Sequence, residues 1–533
     1  MRRWIWGGII LFFVLFSLVP MFYELGRARD LRPERYFELV HNFYTDYNFY
    51  LSRIRQGREG ASVVREKYTS EPHEGSYIQV MYLLMGKVSA WVSVPWPNSG
   101  DTYHTARIVL SFTLLALISY AARVYFKQFL WQIIAFLLAL TSASWPIAVH
   151  LSSGEWRFGG YMPWWTIMDS LQRITFVPHM LAGQALMVFL ILAMTSRETM
   201  RRPGNWIFLG FLALLLGVIF PPGLLFVGAV AGVNLCIGGF RDVWGIGIIG
   251  IISAPSLLYL SLALRVYPWK RLTDYAVLHP QPFDLKEYLL AVGAIGVLGA
   301  LGAVWVLWKK EKHLYPLVAW AIAWISCIVI FKYVPGESPL RFTEMLPHVP
   351  LAFLGAYFLS HLSNVWKKIP IALAALLIIM GIGQMHSYWL WAKDFLDQKI
   401  VASYPLVPTG SYVMYPLKDF VETMIWIQDN TTRDTVILSE TTAGNYLPVY
   451  SGNTVYVGHA GTVATEQKEA IVKNFFSGNM EMTAAKEFLE TNNLHYILFG
   501  PQEGEDGGIQ DLSTVYPFLT AVYSQGLFRV YHW

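Results

Sequence analysis

Long apolar runs decide what this chain can become. They fall at about residues 4–23, 105–123, 128–149, 174–195, 206–221, 223–238, 244–264, 288–308, 314–332, 343–362 and 369–390. Most have the length needed to cross a hydrocarbon core of roughly 30 Å as a helix. Lipid offers the backbone no hydrogen-bond partners, so such runs fold as helices, which satisfy their own N–H and C=O groups. Composition agrees: 55% of the 533 residues are hydrophobic and only 14% are charged, against about 25% charged in an ordinary soluble domain. The predicted class is a polytopic α-helical membrane protein of about eleven spans. The fifth and sixth runs meet at the tight turn "FPPG" (220–223). The formal charge of +4 is spread along the chain and gives no basic patch for nucleic acid. Cys236 and Cys327 lie inside apolar runs and form no disulfide framework.

Short loops set the orientation. Arg2 and Arg3, Arg123 and Lys127, Arg197, Arg201 and Arg202, Arg241, Lys309, Lys310 and Lys312, and Lys367 and Lys368 fall on one side. By the positive-inside rule that side is the cytoplasm. The N-terminus is then cytoplasmic and, with an odd number of spans, the C-terminus extracytoplasmic. Residues 1–23 lack a small-x-small cleavage site and read as an uncleaved anchor. Two regions face outward: a first loop over 24–104 and a tail from 394.

In the loop, Phe37, Val40, Tyr44, Tyr47, Leu51 and Ile54 recur at spacings of three and four. That pattern predicts an amphipathic surface helix. A second apolar stretch, 76–94, reads as another surface helix or a re-entrant piece. In the tail, "TVILS" (435–439), "TVYVG" (454–458), "YILFG" (496–500) and "FRVY" (528–531) read as strands. Helical patterning covers 417–430, 464–476 and 482–492. The domains expected are therefore 1–393, membranous with the outer first loop, and 394–533, an extracytoplasmic α/β domain. The stretch 444–462 reads as a loop surface. Tyr446, Tyr450 and Tyr456 there either stack a sugar or fill the small core.

The chemistry-bearing residues cluster on the outer side. In "HNFYTDYNFYLSRIRQGREG" (41–60), Asp46 stands among five aromatics, followed by Arg53, Arg55 and Arg58. Asp46 either caps a helix or serves as a general base or metal ligand. "EPHEG" brings Glu71, His73 and Glu74 within four residues, an acid–imidazole–acid group able to hold a divalent ion or an acceptor. Glu155 stands two residues from Arg157 in an aromatic-rich loop, as an outer acid or half of a local salt bridge. "RITFVPHMLA" (173–182) and "RFTEMLPHVPLA" (341–352) share Arg-x-Thr, Pro-His and Leu-Ala, each where a span enters from outside. A guanidinium fork pairs with phosphate oxygens, so Arg173 and Arg341 are candidates to clamp a lipid phosphate. The alternative is that both snorkel to the interface. Glu337 lies close in sequence to Arg341.

This organisation resembles the GT-C fold glycosyltransferases: protein O-mannosyltransferases, lipid A aminoarabinose transferases and oligosaccharyltransferase catalytic subunits. "TDYNFYLSRIRQG" (45–57) is similar to their first-loop segment, in which an acid precedes an aromatic-rich helix containing Arg. The resemblance implies Asp46 at the position of the family's catalytic or metal-binding acid. It also implies Glu337 and Arg341 as a late outer-loop acid and a phosphate-binding Arg. The implied activity is sugar transfer from a polyprenyl-phosphate donor to an extracytoplasmic glycan, lipid or protein. Asp46 would take the acceptor proton, and a divalent cation (Mg or Mn) is a possible cofactor. Two departures matter: residues 46–48 read Asp-Tyr-Asn rather than paired acids, and the tail has no Trp-Trp-Asp motif. Protein N-glycosylation is therefore disfavoured. The rival readings are a lipid or glycan transporter or flippase, and a non-catalytic envelope assembly protein. No inverted repeat supports the first.

Overall fold

The computed structural model describes residues 2–92, 99–239, 242–334, 338–404, 406–407, 414–505 and 507–533. Arg241 and Glu337, invoked above, lie outside the described residues. The described chain is mostly helical and divides into two compact units.

The first unit comprises 1–20, 105–260 and 276–393. Six helices among the described residues are long and apolar enough to cross a membrane, or up to nine if each of three bent pairs counts as one span. Two shorter apolar helices, Phe129–Thr141 and Pro203–Ile219, lie in the third and fifth expected runs. The third run corrects the sequence reading. Its helix stops at Thr141, because "SASWP" (142–146) brings hydroxyls and a proline, and Ile147–His150 then forms strand β1. β1 pairs antiparallel with β2 (Trp156–Gly159). Thirteen helical residues rise only about 20 Å, short of a hydrocarbon core. The "FPPG" turn is as expected: Phe220 separates two helices, and Pro221 opens the second, where its missing N–H costs nothing.

The second unit comprises 21–104, 261–275 and 394–533. The first loop thus packs with the tail. Five strands, β3 (Val436–Leu438), β4 (Thr454–Val455), β5 (Tyr496–Phe499), β6 (Thr520–Gln525) and β7 (Phe528–His532), form one sheet in the order β4-β3-β5-β7-β6. β3, β4 and β5 run parallel, and β7 is antiparallel to both its neighbours. Side chains alternate across the sheet with the period of two that strands impose. Ile437, Leu498, Phe528 and Val530 join Phe420, Val421, Met424, Ile427, Tyr446 and Leu447 on one face. Leu438, Ile497, Phe499 and Tyr531 join Val472, Phe475, Phe476, Ala485 and Leu489 on the other. Tyr44, Phe49 and Tyr68 of the first loop belong to the former core.

The first-loop helix runs Tyr44–Arg58, not from Phe37. Arg53, within this helix, is fully buried. The helix Val80–Trp91 crosses it at two glycines: a β-carbon on Gly57 would overlap the Leu83 carbonyl oxygen, and one on Gly86 the Ile54 carbonyl oxygen. Backbones approach this closely only where side chains are absent.

Candidate functional site

Asp46 lies in the first turn of the Tyr44–Arg58 helix, after Phe43 at the N-cap, so it does not cap that helix. A carboxylate there is favoured by the unpaired N–H groups of the helix start. Its side chain is half exposed, and among the described residues it accepts no hydrogen bond. The group facing it comes from the tail, and no sequence motif marks it: His459 Nε2 stands 3.7 Å from Asp46 Oδ1. Gly461 N–H donates to His459 Nδ1 at 3.0 Å. Nδ1 is therefore an acceptor, and the proton of the neutral ring sits on Nε2, toward Asp46. The imidazole stacks on Phe49 with ring centroids 4.3 Å apart.

The surroundings fix this pair by joining the first loop to the tail. Arg53 lies over the Phe49 ring at 3.5 Å and pairs with Glu66 at 2.5 Å, both buried. Val455 N–H donates to the Lys67 carbonyl at 2.9 Å, and Tyr68 O–H to the Asn445 carbonyl at 3.1 Å. Thr462 Oγ1 donates to the Tyr68 carbonyl at 2.5 Å. Asn48 Nδ2 donates to Asn445 Oδ1 at 2.9 Å. A buried, hydrogen-bonded pair such as Arg53–Glu66 holds geometry strongly, because removing one partner leaves an uncompensated charge.

The residues of "EPHEG" are committed elsewhere. His73 Nε2 accepts from Glu66 N–H at 2.9 Å, so its Nδ1–H donates to the Glu71 carbonyl at 2.8 Å. Glu71 pairs with Lys468 at 2.7 Å and accepts from Thr69. Burial pushes the Glu71 carboxyl up, but the Lys468 and Thr69 hydrogen bonds outweigh it and hold it below its usual range. Glu74 is exposed. Glu155 forms a two-pronged pair with Arg157, at 3.1 and 2.9 Å. With both His73 nitrogens used, Glu71 and Glu155 paired and Glu74 exposed, these donors do not fit a shared divalent cation. Among the described residues no three His, Cys, Asp or Glu side chains gather as a metal would require.

In the first unit, Arg173 occupies a short turn, Gln172–Thr175, and is buried. Its Nη2 donates to the Leu140 carbonyl at 2.8 Å and the Ser142 carbonyl at 2.6 Å, at the C-terminus of the Phe129–Thr141 helix. A cation there meets the negative end of the helix dipole. Nε and Nη1 make no hydrogen bond among the described residues. Arg173 lines a small cavity of about 30 Å³ with Ser142, Thr343 and His348. The two motif copies therefore combine unequally, giving Arg from the first and Thr and His from the second. Arg341 is exposed and does not line this cavity. Two arginines thus do not converge as the sequence pattern suggested. The second copy reaches its helix through a seven-residue turn, Pro339–Met345, and Leu346 at φ +53°. Ser142, Ala143 and Ile295 also line a larger apolar cavity of about 410 Å³, walled by Leu138, Leu298, Leu373 and Leu377, with Ser144 and Gln384 among its few polar groups.

No protein-family model matches the chain, and no curated protein matches it in sequence. Solved structures do. The oligosaccharyltransferase of Archaeoglobus fulgidus in the apo form is 12% identical, with a TM-score of 0.55 over 96% of this chain and 71% of that one. ArnT of Cupriavidus metallidurans bound to undecaprenyl phosphate is 13% identical, with a TM-score of 0.53 over 98% of each chain. The Archaeoglobus enzyme in complex with Zn and sulfate gives 0.52 at 13% identity, over 95% and 69%. With a likeness that runs nearly end to end, the chain is a multi-pass membrane protein with the GT-C fold.

Proposed function

We propose that the chain is a membrane glycosyltransferase that moves a sugar from a polyprenyl-phosphate donor to an extracytoplasmic acceptor. The observation that carries this reading is the pair of adjoining cavities in the first unit. An apolar chamber suits an isoprenoid chain, and at Ser142, Ala143 and Ile295 it shares its wall with the pocket of Arg173, Thr343 and His348. The two uncommitted donor atoms of Arg173 suit phosphate oxygens. The fold-mate from Cupriavidus metallidurans was solved with undecaprenyl phosphate, a lipid of this chemistry.

In this reading the N-terminus is cytoplasmic, eleven segments enter the membrane, and 394–533 is extracytoplasmic. Asp46 takes the proton of the acceptor hydroxyl as oxygen attacks the sugar C1. A positioned base supplies about 10²–10⁴-fold. His459, whose Nε2 stands 3.7 Å from Asp46 Oδ1, orients the carboxylate. Arg173 stabilises the charge that grows on the departing polyprenyl phosphate, and such preorganised electrostatics is often the larger effect. Arg341, on the same outer approach by sequence, assists donor capture from the surface. No step is assigned to a cation.

Reconstituted protein supplied with a panel of radiolabelled polyprenyl-phosphate sugars and membrane extract as acceptor tests this directly. Label passing from donor to acceptor is expected. No transfer from any donor, with lipid or glycan crossing the bilayer instead, would overturn it in favour of transport.

A further inference from the structure

A second cleft lies wholly within the second unit, on the other side of the Tyr44–Arg58 helix from Asp46. Tyr47, Leu51, Arg55 and Arg58 line it, a stripe at spacings of four, four and three. Asp46, Phe49 and Arg53 point the opposite way, about half a turn round the helix. The cleft holds about 660 Å³, within the range of ligand sites.

Its lining has a definite chemistry. Tyr36, Phe37, Tyr47 and Tyr450 supply aromatic surface, and Tyr36 is over a third exposed. Glu38, Arg55, Arg58, Glu59, Asp101 and Gln428 supply polar forks. Arg55 is anchored from behind: it donates to the Val449 and Tyr450 carbonyls at 2.8 and 2.7 Å and to Gln428 Oε1 at 2.7 Å. Arg58 is different, making no hydrogen bond or salt bridge among the described residues. Glu38 is nine-tenths buried, and its Oε2 has no hydrogen-bond partner. Glu38 is among the residues that line the cleft, although its Oε2 is itself buried. Burial also favours the neutral Glu38 carboxyl, against hydrogen bonds from Tyr450 and Tyr446. Arg55 is already paired with Glu59, its Nε donating to Glu59 Oε1 at 2.8 Å, Arg58 and Asp101 carry opposite charges, and the lining has little net charge.

Balanced charge disfavours a phosphate or an amine. Planar forks that take adjacent hydroxyls, beside aromatic faces that take the C–H surface of a ring, suit a neutral polyhydroxylated ligand. We propose that this cleft, on the face of the Tyr44–Arg58 helix opposite Asp46, is a separate saccharide-binding site for one or two neutral sugar rings. The site goes beyond the transfer reading, since binding here needs neither Asp46 nor a lipid donor. Free, lipid-linked and protein-linked glycans share the recognised chemistry.

Saturation-transfer NMR on the full chain in nanodiscs tests it, with no glycoside detergent present. The probes are the methyl glycosides of glucose, galactose, mannose and N-acetylglucosamine, with cellobiose, a sugar-headed lipid in the nanodisc and inorganic phosphate as separate arms. At least one saccharide is expected to bind, with Tyr36→Ala and Arg58→Ala each weakening it about tenfold. Neither change removes a side-chain hydrogen bond, so both variants are expected to fold. Asp46→Asn is expected to bind as wild type does. A stronger signal from the sugar-headed lipid than from free glycosides identifies the natural source as lipid-linked. No saccharide bound at about 10 mM, preference for phosphate, or unchanged binding in both cleft variants would overturn the proposal. Binding lost only in Asp46→Asn would also overturn it, while leaving the transfer reading intact.

Discussion

Asp46 and Glu38 stand eight residues apart and do opposite things. Asp46 is half exposed and free of hydrogen bonds among the described residues, the state a base needs. Glu38 is buried, and burial pushes its carboxyl up to about 7. A carboxyl raised above its unfolded value of 4.5 favours the fold fully below about pH 4.5, and that contribution is lost as pH rises through about 7. Glu38→Gln, which cannot ionise, is therefore expected to melt higher than wild type at pH 8 and to lose that advantage at pH 5. The size is on the order of 2–3 kcal/mol, readable as a shift of several degrees in tryptophan-fluorescence melting. An equal difference at both pH values would contradict a raised Glu38. Asp46 stood out in the sequence because a lone acid among aromatics is a local pattern. Glu38 and His459 were not, because their settings depend on Tyr446, Tyr450 and Phe49, brought from far along the chain.

At the scale of elements, the helices Tyr44–Arg58 and Val80–Trp91 cross through Gly57 and Gly86. Gly57→Ala forces a methyl against the Leu83 carbonyl. Overpacking typically costs about 1–3 kcal/mol, so a Tm lowered by several degrees is expected. Gly232→Ala, whose β-carbon would meet nothing within 4 Å, is expected to leave Tm unchanged and serves as the control. Equal melting of the two variants would contradict the close crossing. Helical and strand periods made most of the tail readable: the three expected helices and four expected strands are present within a few residues. Two longer elements escaped, besides the short turns Pro501–Glu505 and Leu512–Thr514. Thr441–Tyr450 is a helix although Gly444, Asn445 and Pro448 give it the composition of a loop, because buried Tyr446 and Leu447 tie it to the core. β6 (Thr520–Gln525) mixes polar Thr520, Ser524 and Gln525 with Ala521, Val522 and Tyr523 and is held by pairing with β7 rather than by an apolar pattern. Polar Ser142 and Ser144 in the third apolar run signalled its early end, but hydropathy averaged over a whole span hides two hydroxyls.

For the whole molecule, the apolar runs announced the membrane class, and the order of loops announced the GT-C organisation. The grouping of 21–104 with the tail was hidden, since it rests on pairings such as Lys67 with Val455 that no linear pattern reveals. The unequal burial of Arg173 and Arg341 was hidden as well, because a sequence repeat does not fix matching burial. Arg173→Lys keeps the charge but loses the fork. It is expected to lower kcat/KM for the lipid donor about 10²-fold while Tm stays within a few degrees of wild type. An unchanged kcat/KM would remove Arg173 from donor binding. The most direct test of the central claim is sugar transfer by Asp46→Asn beside wild type in the same proteoliposomes, with melting curves recorded for both. The account predicts a loss of about 10²–10⁴-fold in transfer by a variant that melts as wild type does. Wild-type transfer by folded Asp46→Asn would contradict it and leave Asp46 as a first-turn helix acid alone.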